Sequence, residues 1–310
     1  MVQLQGVYFI QNARVPINID LTGPGSSDNG AEITGWKQKL WNHATNFDAS
    51  NQLWLIKPVA DHTDMYTLQN IKGGTYLDME EGGTGNGNRI VGWRNLGNSK
   101  FRITTKDGSS KRIRPIITES KMLQAKVRAF VDLRDGGNAN GTAITGWKGD
   151  WNHESHENNT VFHQQWVFQR VSQTSDEVRR ILRDSPHLAQ DFQSYQVDGE
   201  YIILPQGIWQ SIWRGTKLNG HRRWRSEIFD CDDFAVVFKS AVAEWGYDHV
   251  RADNISILCG LMLGRARVPG EPGHAYNFTI NDNYDRVVFF EPQSNKFQDD
   301  NDYNPLLGFF

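Results

Sequence analysis

Apolar and polar residues follow two different periods along the chain. Up to about residue 170, short runs such as GVYFIQ, MYTLQN and QWVFQR are broken by Gly, Asn and Asp, which predicts β-strands joined by turns. Beyond that point Val178, Ile181 and Leu182 recur at helical spacing. Thr174 and Glu177 precede them and predict a capping box. The change of period predicts two domains, an all-β domain followed by an α+β domain.

The second domain contains one segment with a strong helical pattern, EIFDCDDFAVVFKSAVAEWGY. Asp230 is its predicted N-cap and Gly246 its predicted end. Its predicted buried face comprises Phe234, Val237, Phe238, Ala241 and Trp245. Three strands are predicted after this helix, at 254–263, 274–280 and 285–291.

The first domain repeats itself three times, with a period of about 55 residues. Each copy has an aspartate, then a Gly-Trp pair 15 or 16 residues later, then a third element: NQLW, NSKF or HQQW. The repetition predicts threefold pseudosymmetry, in which each copy supplies part of a shared core. The last tryptophan of the third element, Trp54 or Trp166, is a predicted core residue.

The repeated polar and aromatic residues suit sugar binding. A carboxylate accepts hydrogen bonds from two hydroxyls, an amide donates and accepts, and an indole packs against the C–H face of a sugar ring. The alternative for the aspartates is a turn cap. The predicted carbohydrate-binding residues are Asp20, Trp36, Asn42, Asn51, Asp78, Trp93, Asn98, Asp132, Trp147, Asn152 and His163.

Composition excludes several classes of protein. A net charge of −3 argues against a nucleic-acid partner, and two cysteines among 310 residues cannot form a disulfide framework. No apolar run is long enough for a transmembrane segment. The beginning of the chain lacks the pattern of a secretory signal, so we expect a protein that is cytoplasmic or released without such a signal.

Cys231 is the candidate nucleophile. It falls on the first turn of the predicted helix, where unpaired N–H groups and the helix dipole favour a thiolate. The alternative, a buried structural cysteine, fits Cys259 in its apolar strand.

A nucleophilic thiol needs a base and an orienting acid. His274 opens a predicted strand after VPGEPG, and Glu291 closes the next one, so antiparallel pairing would bring the two side chains together. His221, in a cationic cluster, and His249, in a predicted polar loop, are expected at the surface.

The threefold order of aspartate, aromatic residue and Q-x-W element resembles the ricin-B-type β-trefoil lectin family. Gln52-Leu53-Trp54 and Gln164-Gln165-Trp166 carry the motif, whereas the second copy departs from it with Ser99-Lys100-Phe101. The resemblance implies a β-trefoil over 1–170, with repeats at about 1–57, 58–112 and 113–170.

The order cysteine, histidine, acid resembles papain-like cysteine proteases. Together with FDCDDFA, GHAYNF and FFEPQS, the architecture is similar to fungal chimeric lectins of the Marasmius oreades agglutinin type, over almost the whole chain. This implies a papain-like catalytic and dimerisation domain over 171–310 that forms a homodimer, and a catalytic triad of Cys231, His274 and Glu291. No glutamine lies within ten residues before Cys231, so the oxyanion-hole donor stays open between Gln210 and Gln293.

The same resemblance implies that calcium is required, with manganese as a possible replacement. Acidic residues on both sides of Cys231 would raise the pKa of its thiol, and a hard divalent cation would cancel their charge. Complementing the helix dipole is the alternative role for these acids. The predicted metal ligands are Asp232, Asp233, Asp248 and Asp253, with Asn254 as a further oxygen donor.

The favoured interpretation is a lectin for galactose-type or sialylated glycans of glycoproteins or glycolipids that carries a calcium-dependent cysteine endopeptidase acting on protein substrates. A defence role follows from the resemblance alone. Two alternatives stay open: a C-terminal domain that serves only as a dimerisation scaffold, and a cysteine enzyme that transfers or removes amide groups.

Overall fold

The computed structural model describes residues 4–23, 26–62, 65–83, 85–96, 99–105, 121–125, 129–148, 162–188, 190–300 and 302–310. The chain divides into two compact units, and the principal division falls between Val171 and Ser172. Each unit also includes a short segment from the other half of the sequence. Val250–Asp253 belongs to unit 1 and Leu40–Phe47 belongs to unit 2, neither of which the predicted boundary at 170/171 anticipates.

Unit 1 consists of β-strands whose described pairings are all antiparallel. The strands are β1 (Gly6–Asn12), β2 (Ile17–Leu21), β3 (Ala31–Lys37), β4 (Leu53–Pro58), β5 (Met65–Asn70), β6 (Tyr76–Met79), β7 (Asn88–Trp93), β8 (Phe101–Thr105), β9 (Lys121–Ala125), β10 (Ala129–Leu133), β11 (Thr142–Lys148) and β12 (Gln165–Arg170).

Six of these strands close into a barrel. The pairing runs from β1 through β4, β5, β8, β9 and β12 and returns to β1. The other six strands form the hairpins β2–β3, β6–β7 and β10–β11, which pair with one another through β3, β7 and β11. A six-stranded barrel capped by three hairpins is a β-trefoil, so the predicted threefold fold is confirmed.

The aromatic residues of the third repeat element lie in the barrel core, as predicted. Trp54, Phe101 and Trp166 are completely buried. The indole Nε1 of Trp54 donates to the carbonyl of Ile19 at 2.9 Å, and that of Trp166 donates to Val131 at 3.0 Å. Because these carbonyls directly precede Asp20 and Asp132, each buried indole fixes the strand that carries an aspartate.

Glycines join the three hairpins in a closed cycle of hydrogen bonds. In each hairpin turn a glycine with a φ of 80–82° donates its N–H to the glycine of another repeat's Gly-Trp pair, at 2.9 Å in all three cases: Gly30 to Gly92, Gly87 to Gly146 and Gly141 to Gly35. A Cβ atom at Gly35 would lie 2.5 Å from the Ile17 side chain. The glycine of each Gly-Trp pair is therefore required by the close approach of the hairpins.

Unit 2 combines three helices with two sheets. The helices are α1 (Ser175–Arg183), α2 (Gln206–Gly215) and α3 (Cys231–His249). The strands are β13 (Ser172–Thr174), β14 (Gln193–Tyr195), β15 (Glu200–Ile202), β16 (Ser256–Ile257), β17 (Gly260–Ala266), β18 (His274–Ile280), β19 (Val287–Glu291), β20 (Lys296–Gln298) and β21 (Tyr303–Phe309). They form a small sheet β13-β15-β16 and a larger sheet β14-β21-β17-β18-β19-β20. None of the helices in the described ranges has both the length and the apolar character to cross a membrane.

Helix α3 differs from its prediction in two ways. It continues through Gly246 to His249, because one interior glycine costs a helix only about 1 kcal/mol and Trp245 stacks on His249 with ring centroids 4.3 Å apart. His249 is thus a helical residue and does not lie in a polar loop. The predicted burial of Val237 is wrong, since this side chain is 39% exposed.

Strand β18 has the predicted bounds, but the strand predicted at 254–263 is divided. Ser256–Ile257 joins the small sheet and Gly260–Ala266 joins the large one, with buried Cys259 between them. Helix α3 packs against one face of β18, where the Asn277 side chain donates to the carbonyl of Ala235 at 3.0 Å. This packing sets the start of α3 beside the start of β18.

Candidate functional site: a thiol centre and three sugar-type pockets

Cys231 is the first residue of α3 and is partly buried. The turn before it is fixed by the Asp233 carboxylate, which accepts from the backbone N–H of Asp230 at 3.2 Å. The backbone N–H of Ala275 donates to the Cys231 sulfur. The thiol therefore lies against the second residue of β18, directly after His274.

His274 and Glu291 form a short hydrogen bond, with 2.6 Å between Nε2 and Oε2. The antiparallel pairing of β18 and β19 brings them together, as the sequence predicts. The second carboxylate oxygen, Oε1, accepts from the backbone N–H of Gln293 at 3.0 Å. The Tyr303 ring packs on the imidazole with centroids 4.9 Å apart. The imidazole plane is thus fixed by a carboxylate at one edge and by an aromatic ring on one face.

Because Nε2 of His274 is bonded to Glu291, the other ring nitrogen, Nδ1, is the atom that can accept a proton from the thiol. Burial raises the pKa of Tyr303, and the negative charge that Cys231 carries when ionised adds to that shift. No direct hydrogen bond joins the Cys231 sulfur to the imidazole among the residues that the structure describes. Catalytic hydrogen bonds are often long before substrate binds, and the arrangement suits transfer of the thiol proton to His274.

The surroundings of the Cys231 thiol raise its pKa. Burial raises the pKa of Cys231, the backbone N–H of Ala275 opposes the shift, and the charges of Asp230 and Asp232 add to it. Burial and the two carboxylates thus oppose the effect of the helix dipole on the thiol, and the contribution of the carboxylates agrees with the predicted effect of the acidic neighbours.

Two carboxylates beside the thiol form the best candidate cation site. One ligand atom each of Asp230, Cys231 and Asp232 lie within 4.8 Å of one another. A side-chain hydrogen bond with Asp230 is the largest cause that raises the pKa of Asp232. Two neighbouring carboxylates supply the hard oxygen ligands that calcium prefers, so the chemistry of this pair fits the ion.

The predicted set of metal ligands is wrong as a single site. Asp232 and Asp248 are separated by sixteen positions of α3, which corresponds to about 24 Å along the axis. Asp253 belongs to unit 1, where its carbonyl accepts from the Lys57 ammonium at 2.9 Å. Asp233 caps the helix start. Asp230, predicted as the N-cap, is a candidate ligand that the predicted set omits.

A half-open cavity of about 300 Å³ adjoins the imidazole and its carboxylate. Its walls are mainly aromatic and its other polar side chains are acids and an amide. The lining residues are His274, Tyr276, Phe289, Phe290, Glu291, Gln298, Asp300, Asp302 and Tyr303. The acid–base pair is thus accessible to a ligand and not enclosed in the core.

In unit 1 the repeated spacing sets an aspartate and a tryptophan on one face of each hairpin. Asp20, Asp78 and Asp132 pair across the hairpin with the residue two positions before Trp36, Trp93 and Trp147 respectively. Residues two apart on a strand share a face, and such diagonal neighbours contact each other across a sheet. The aspartates are buried, whereas the tryptophans are half-buried or exposed, with Trp147 the most exposed at 38%.

The first pocket is filled by a lysine. The Lys39 ammonium lies 3.1 Å from Asp20 Oδ2 and donates to Asn51 Oδ1 at 2.9 Å, while Asn51 donates to Asp20 Oδ1 at 3.0 Å. Burial raises the pKa of Asp20, and Lys39 opposes that shift. Both carboxylate oxygens therefore have a partner within the protein, and little capacity is left for a sugar hydroxyl.

The third pocket keeps one carboxylate oxygen available. Asp132 Oδ2 accepts from His163 Nδ1 at 2.6 Å and from Gln164 Nε2 at 2.8 Å. Its Oδ1 accepts no hydrogen bond from any residue within the described ranges. His163 and Trp147 both reach the surface beside it. In the second pocket Ser99 donates to Asp78 at 2.5 Å, next to half-buried Trp93.

Three of the predicted sugar-binding residues are asparagines whose role stays a prediction. Asn42 lies in the segment Leu40–Phe47, which belongs to unit 2. Asn98 and Asn152 lie outside the described residues.

Comparisons with known proteins give a family match in each half of the chain. Residues 173–310 match the family described as ricin-type β-trefoil lectin C-terminal domain, and residues 50–147 match ricin-type β-trefoil lectin domain-like. The chain is 34% identical to Polyporus squamosus lectin, solved with the human-type influenza-binding epitope Neu5Acα2-6Galβ1-4GlcNAc; the alignment covers 100% of both chains, with a TM-score of 0.80. The chain belongs to the ricin-type β-trefoil lectins.

A second relative of this lectin is a chain solved as a PSL1a–E64 complex. It is 32% identical, both chains are covered completely, and the TM-score is again 0.80. The comparison with curated proteins gave no match.

The lectin pockets contain polar residues that sequence reasoning missed. Lys39, Ser99 and Gln164 each contact the aspartate of their own sequence repeat, and each repeat forms one lobe of the trefoil. Ser99 and Gln164 occupy the first position of the Q-x-W element and could have been found by aligning the three repeats. Lys39 has no equivalent in the repeat pattern, so no sequence signal identifies it.

Proposed function

We propose that this lectin binds glycans through its trefoil and cleaves proteins with Cys231, as a calcium-dependent cysteine endopeptidase. The supporting observation is the 2.6 Å bond between His274 and Glu291, at the strand end where Ala275 holds the thiol. A thiol, an imidazole with one nitrogen available and an orienting carboxylate are the groups that nucleophilic acyl transfer requires.

In the proposed mechanism Nδ1 of His274 takes the Cys231 proton and the sulfur attacks the peptide carbonyl. Glu291 keeps the imidazole oriented and stabilises the imidazolium. The imidazolium gives its proton to the amine, which departs, and the acyl group remains on Cys231 as a thioester. His274 then activates a water that hydrolyses the thioester and regenerates the thiol.

The reaction type is tested by the mass of the products. We expect the purified protein, in calcium, to cut an unfolded protein substrate into peptides whose summed mass exceeds that of the uncut chain by one water for each bond cleaved. Loss of ammonia from glutamine side chains in an uncut chain would instead indicate a deamidating enzyme.

Asp230 and Asp232 are the residues that would hold the calcium. A bound cation would neutralise the two carboxylates that raise the pKa of Cys231 and would stabilise the thiolate.

Removal of the cation is therefore expected to stop cleavage. We expect excess chelator to reduce the cleavage rate by about 100-fold or more, since one general-base or electrostatic element contributes roughly that much. Agglutination of cells is expected to stay unchanged in the same buffer. Undiminished cleavage in chelator would rule out the calcium requirement, and Asp232→Asn separates a site at this pair from one elsewhere.

The third lobe is the proposed main glycan site. Asp132 has one carboxylate oxygen that accepts no hydrogen bond from the described part of the chain, His163 orients the carboxylate, and Trp147 exposes an apolar face next to it. The relative from Polyporus squamosus, solved with a sialylated galactose epitope, supports glycans of that type as ligands.

The two equivalent tryptophans of lobes one and three provide a matched test. We expect Trp147→Ala to weaken binding to a sialylated galactose glycan by about tenfold, because stacking on an exposed aromatic ring is lost. Trp36→Ala is expected to have little effect, since Lys39 fills the first pocket. Titration calorimetry measures both, and an equal loss in the two variants would contradict the ranking of the lobes.

Unit 2 is also the proposed dimer interface. Leu263 and Phe309 are exposed on the adjacent strands β17 and β21, and exposed Tyr195 follows on β14. A contiguous exposed apolar surface on a sheet favours association with a second copy. Sedimentation of a Leu263→Ser, Phe309→Ser variant tests this, and a dimer of unchanged stability would contradict it.

A further inference from the structure

The segment that leads into α3 concentrates positive charge in a chain that is acidic overall. We define the cationic loop as residues 214–229, from the last turn of α2 to the residue before Asp230. It contains five Lys and Arg residues and one acid, Glu227, in a protein of net charge −3. The five cations are Arg214, Lys217, Arg222, Arg223 and Arg225, and all are exposed.

The cationic loop has a defined conformation. Arg225 and Phe229 exchange two backbone hydrogen bonds of 2.9 Å, around a turn in which Glu227 has a φ of 61°. The Phe229 ring packs on Phe234 of α3 with centroids 4.8 Å apart. The turn is therefore attached to the folded unit and presents its side chains in fixed positions.

The positive charges of the cationic loop are not compensated within the protein. None of its five Lys and Arg side chains forms an ion pair with a residue that the structure describes. Arg222 lies over the Phe229 ring at 5.8 Å, which leaves its charge at the surface. A cluster of exposed, unpaired cations attracts a negatively charged partner.

Two large apolar side chains stand among these charges. Trp224 is 55% exposed and Ile228 is 62% exposed. A polyanion such as heparin would bind the cations but leave Ile228 in water. A membrane surface accommodates both properties, because anionic headgroups attract Lys and Arg while Trp and aliphatic side chains enter the interface.

We infer that the cationic loop docks on membranes that contain anionic phospholipid. Arg222, Arg223 and Arg225 contact the headgroups, and Trp224 and Ile228 insert between them. This contact is independent of the glycan pockets and of the thiol centre.

Vesicle co-sedimentation of the full chain tests the inference. The vesicles contain phosphatidylcholine alone or with phosphatidylserine, without glycolipid, so that the trefoil has no ligand; chelator excludes bridging by calcium. We expect binding only to vesicles with phosphatidylserine, and about tenfold or greater weakening at high salt, since several cations contribute. Equal binding to both kinds of vesicle would overturn the inference.

Variants in the same unit separate local from general charge effects. Replacing Arg222, Arg223 and Arg225 together by Ser is expected to weaken vesicle binding by at least about tenfold. The matched control replaces Arg179, Arg180 and Arg183, three exposed cations of α1, and is expected to retain binding. Equal losses in both variants would overturn the inference, because net charge alone would then explain them.

The apolar residues distinguish a membrane from a soluble polyanion. We expect Trp224→Ala with Ile228→Ser to weaken vesicle binding several-fold while heparin binding stays the same. If this variant loses no vesicle binding, or if heparin competes and binds more tightly than vesicles, the cationic loop is a polyanion site and the membrane inference is wrong. All these side chains are exposed, and equal melting temperatures confirm that the variants fold.

Discussion

Replacing Cys231 by alanine is expected to abolish peptide cleavage and to leave glycan binding at the level of the parent protein. The thiol is the proposed nucleophile, whereas the sugar-type pockets belong to unit 1. Cleavage of an unfolded protein is followed by mass spectrometry, and glycan binding by calorimetry on the same preparation. Retained cleavage in Cys231→Ala would rule out Cys231 as the nucleophile, and absence of cleavage by the parent protein would favour the interpretation of unit 2 as a dimerisation scaffold.

The second cysteine is the matched control for this experiment. Cys259 is completely enclosed, and burial raises the pKa of its thiol to about 12, so it cannot act as a thiolate nucleophile. Cys259→Ala is expected to keep its activity.

Glu291→Gln is expected to reduce kcat by roughly 10²–10⁴ with a small change in KM, because it disturbs the orientation and charge of the imidazole without removing a substrate contact.

Trp41→Ala is expected to destabilise unit 2, although this residue follows the first Gly-Trp pair of the trefoil. Trp41 is buried in the segment Leu40–Phe47, its ring lies 5.8 Å from Phe47, and Phe47 in turn lies 5.0 Å from Trp245 of α3. Removing a buried indole typically costs about 3–5 kcal/mol. Hydrogen exchange is expected to show loss of protection in β17, β18 and β19, with β1 and β4 retaining theirs.

Trp54→Ala is the comparison variant, for which we expect the loss of protection in unit 1 and not in unit 2. Trp54 is completely buried in the barrel and bonded to Ile19, so its removal is expected to expose the amides of β1 and β4 first. If both variants lose protection in the same strands, the assignment of Leu40–Phe47 to unit 2 is contradicted.

The sequence predicts those features that arise from short-range periodicity. Alternation over two residues defines β18, and the repeated distance from Asp20 to Trp36 defines a hairpin with both residues on one face. The contact between His274 and Glu291 also follows, because it needs only that two consecutive strands are antiparallel.

Features that depend on distant partners were not predictable in this way. The phrases around Trp41 and Trp151 are nearly identical, yet Trp41 packs on Phe47, whose ring lies against Trp245 about 200 positions away, and nothing in the phrase itself indicates this. Asp248 was predicted to donate an oxygen from a loop after the helix, whereas it lies in the last turn of α3, and the length of the helix separates it from Asp232. Lys39 lies in the loop after β3, and no periodicity in the sequence predicts that its side chain enters the first pocket.

The ring of backbone bonds between turn glycines and Gly-Trp glycines restricts how the three lobes can diverge. Each hairpin holds another in place, so an insertion in one turn would break a bond to a second lobe and disturb all three. Sequence changes at this end of the barrel are therefore expected in side chains and not in the length of the turns. A lysine, a serine or a histidine can replace one another beside an aspartate without altering the backbone of the hairpins. Three binding sites of unequal affinity can arise in this way on one rigid frame.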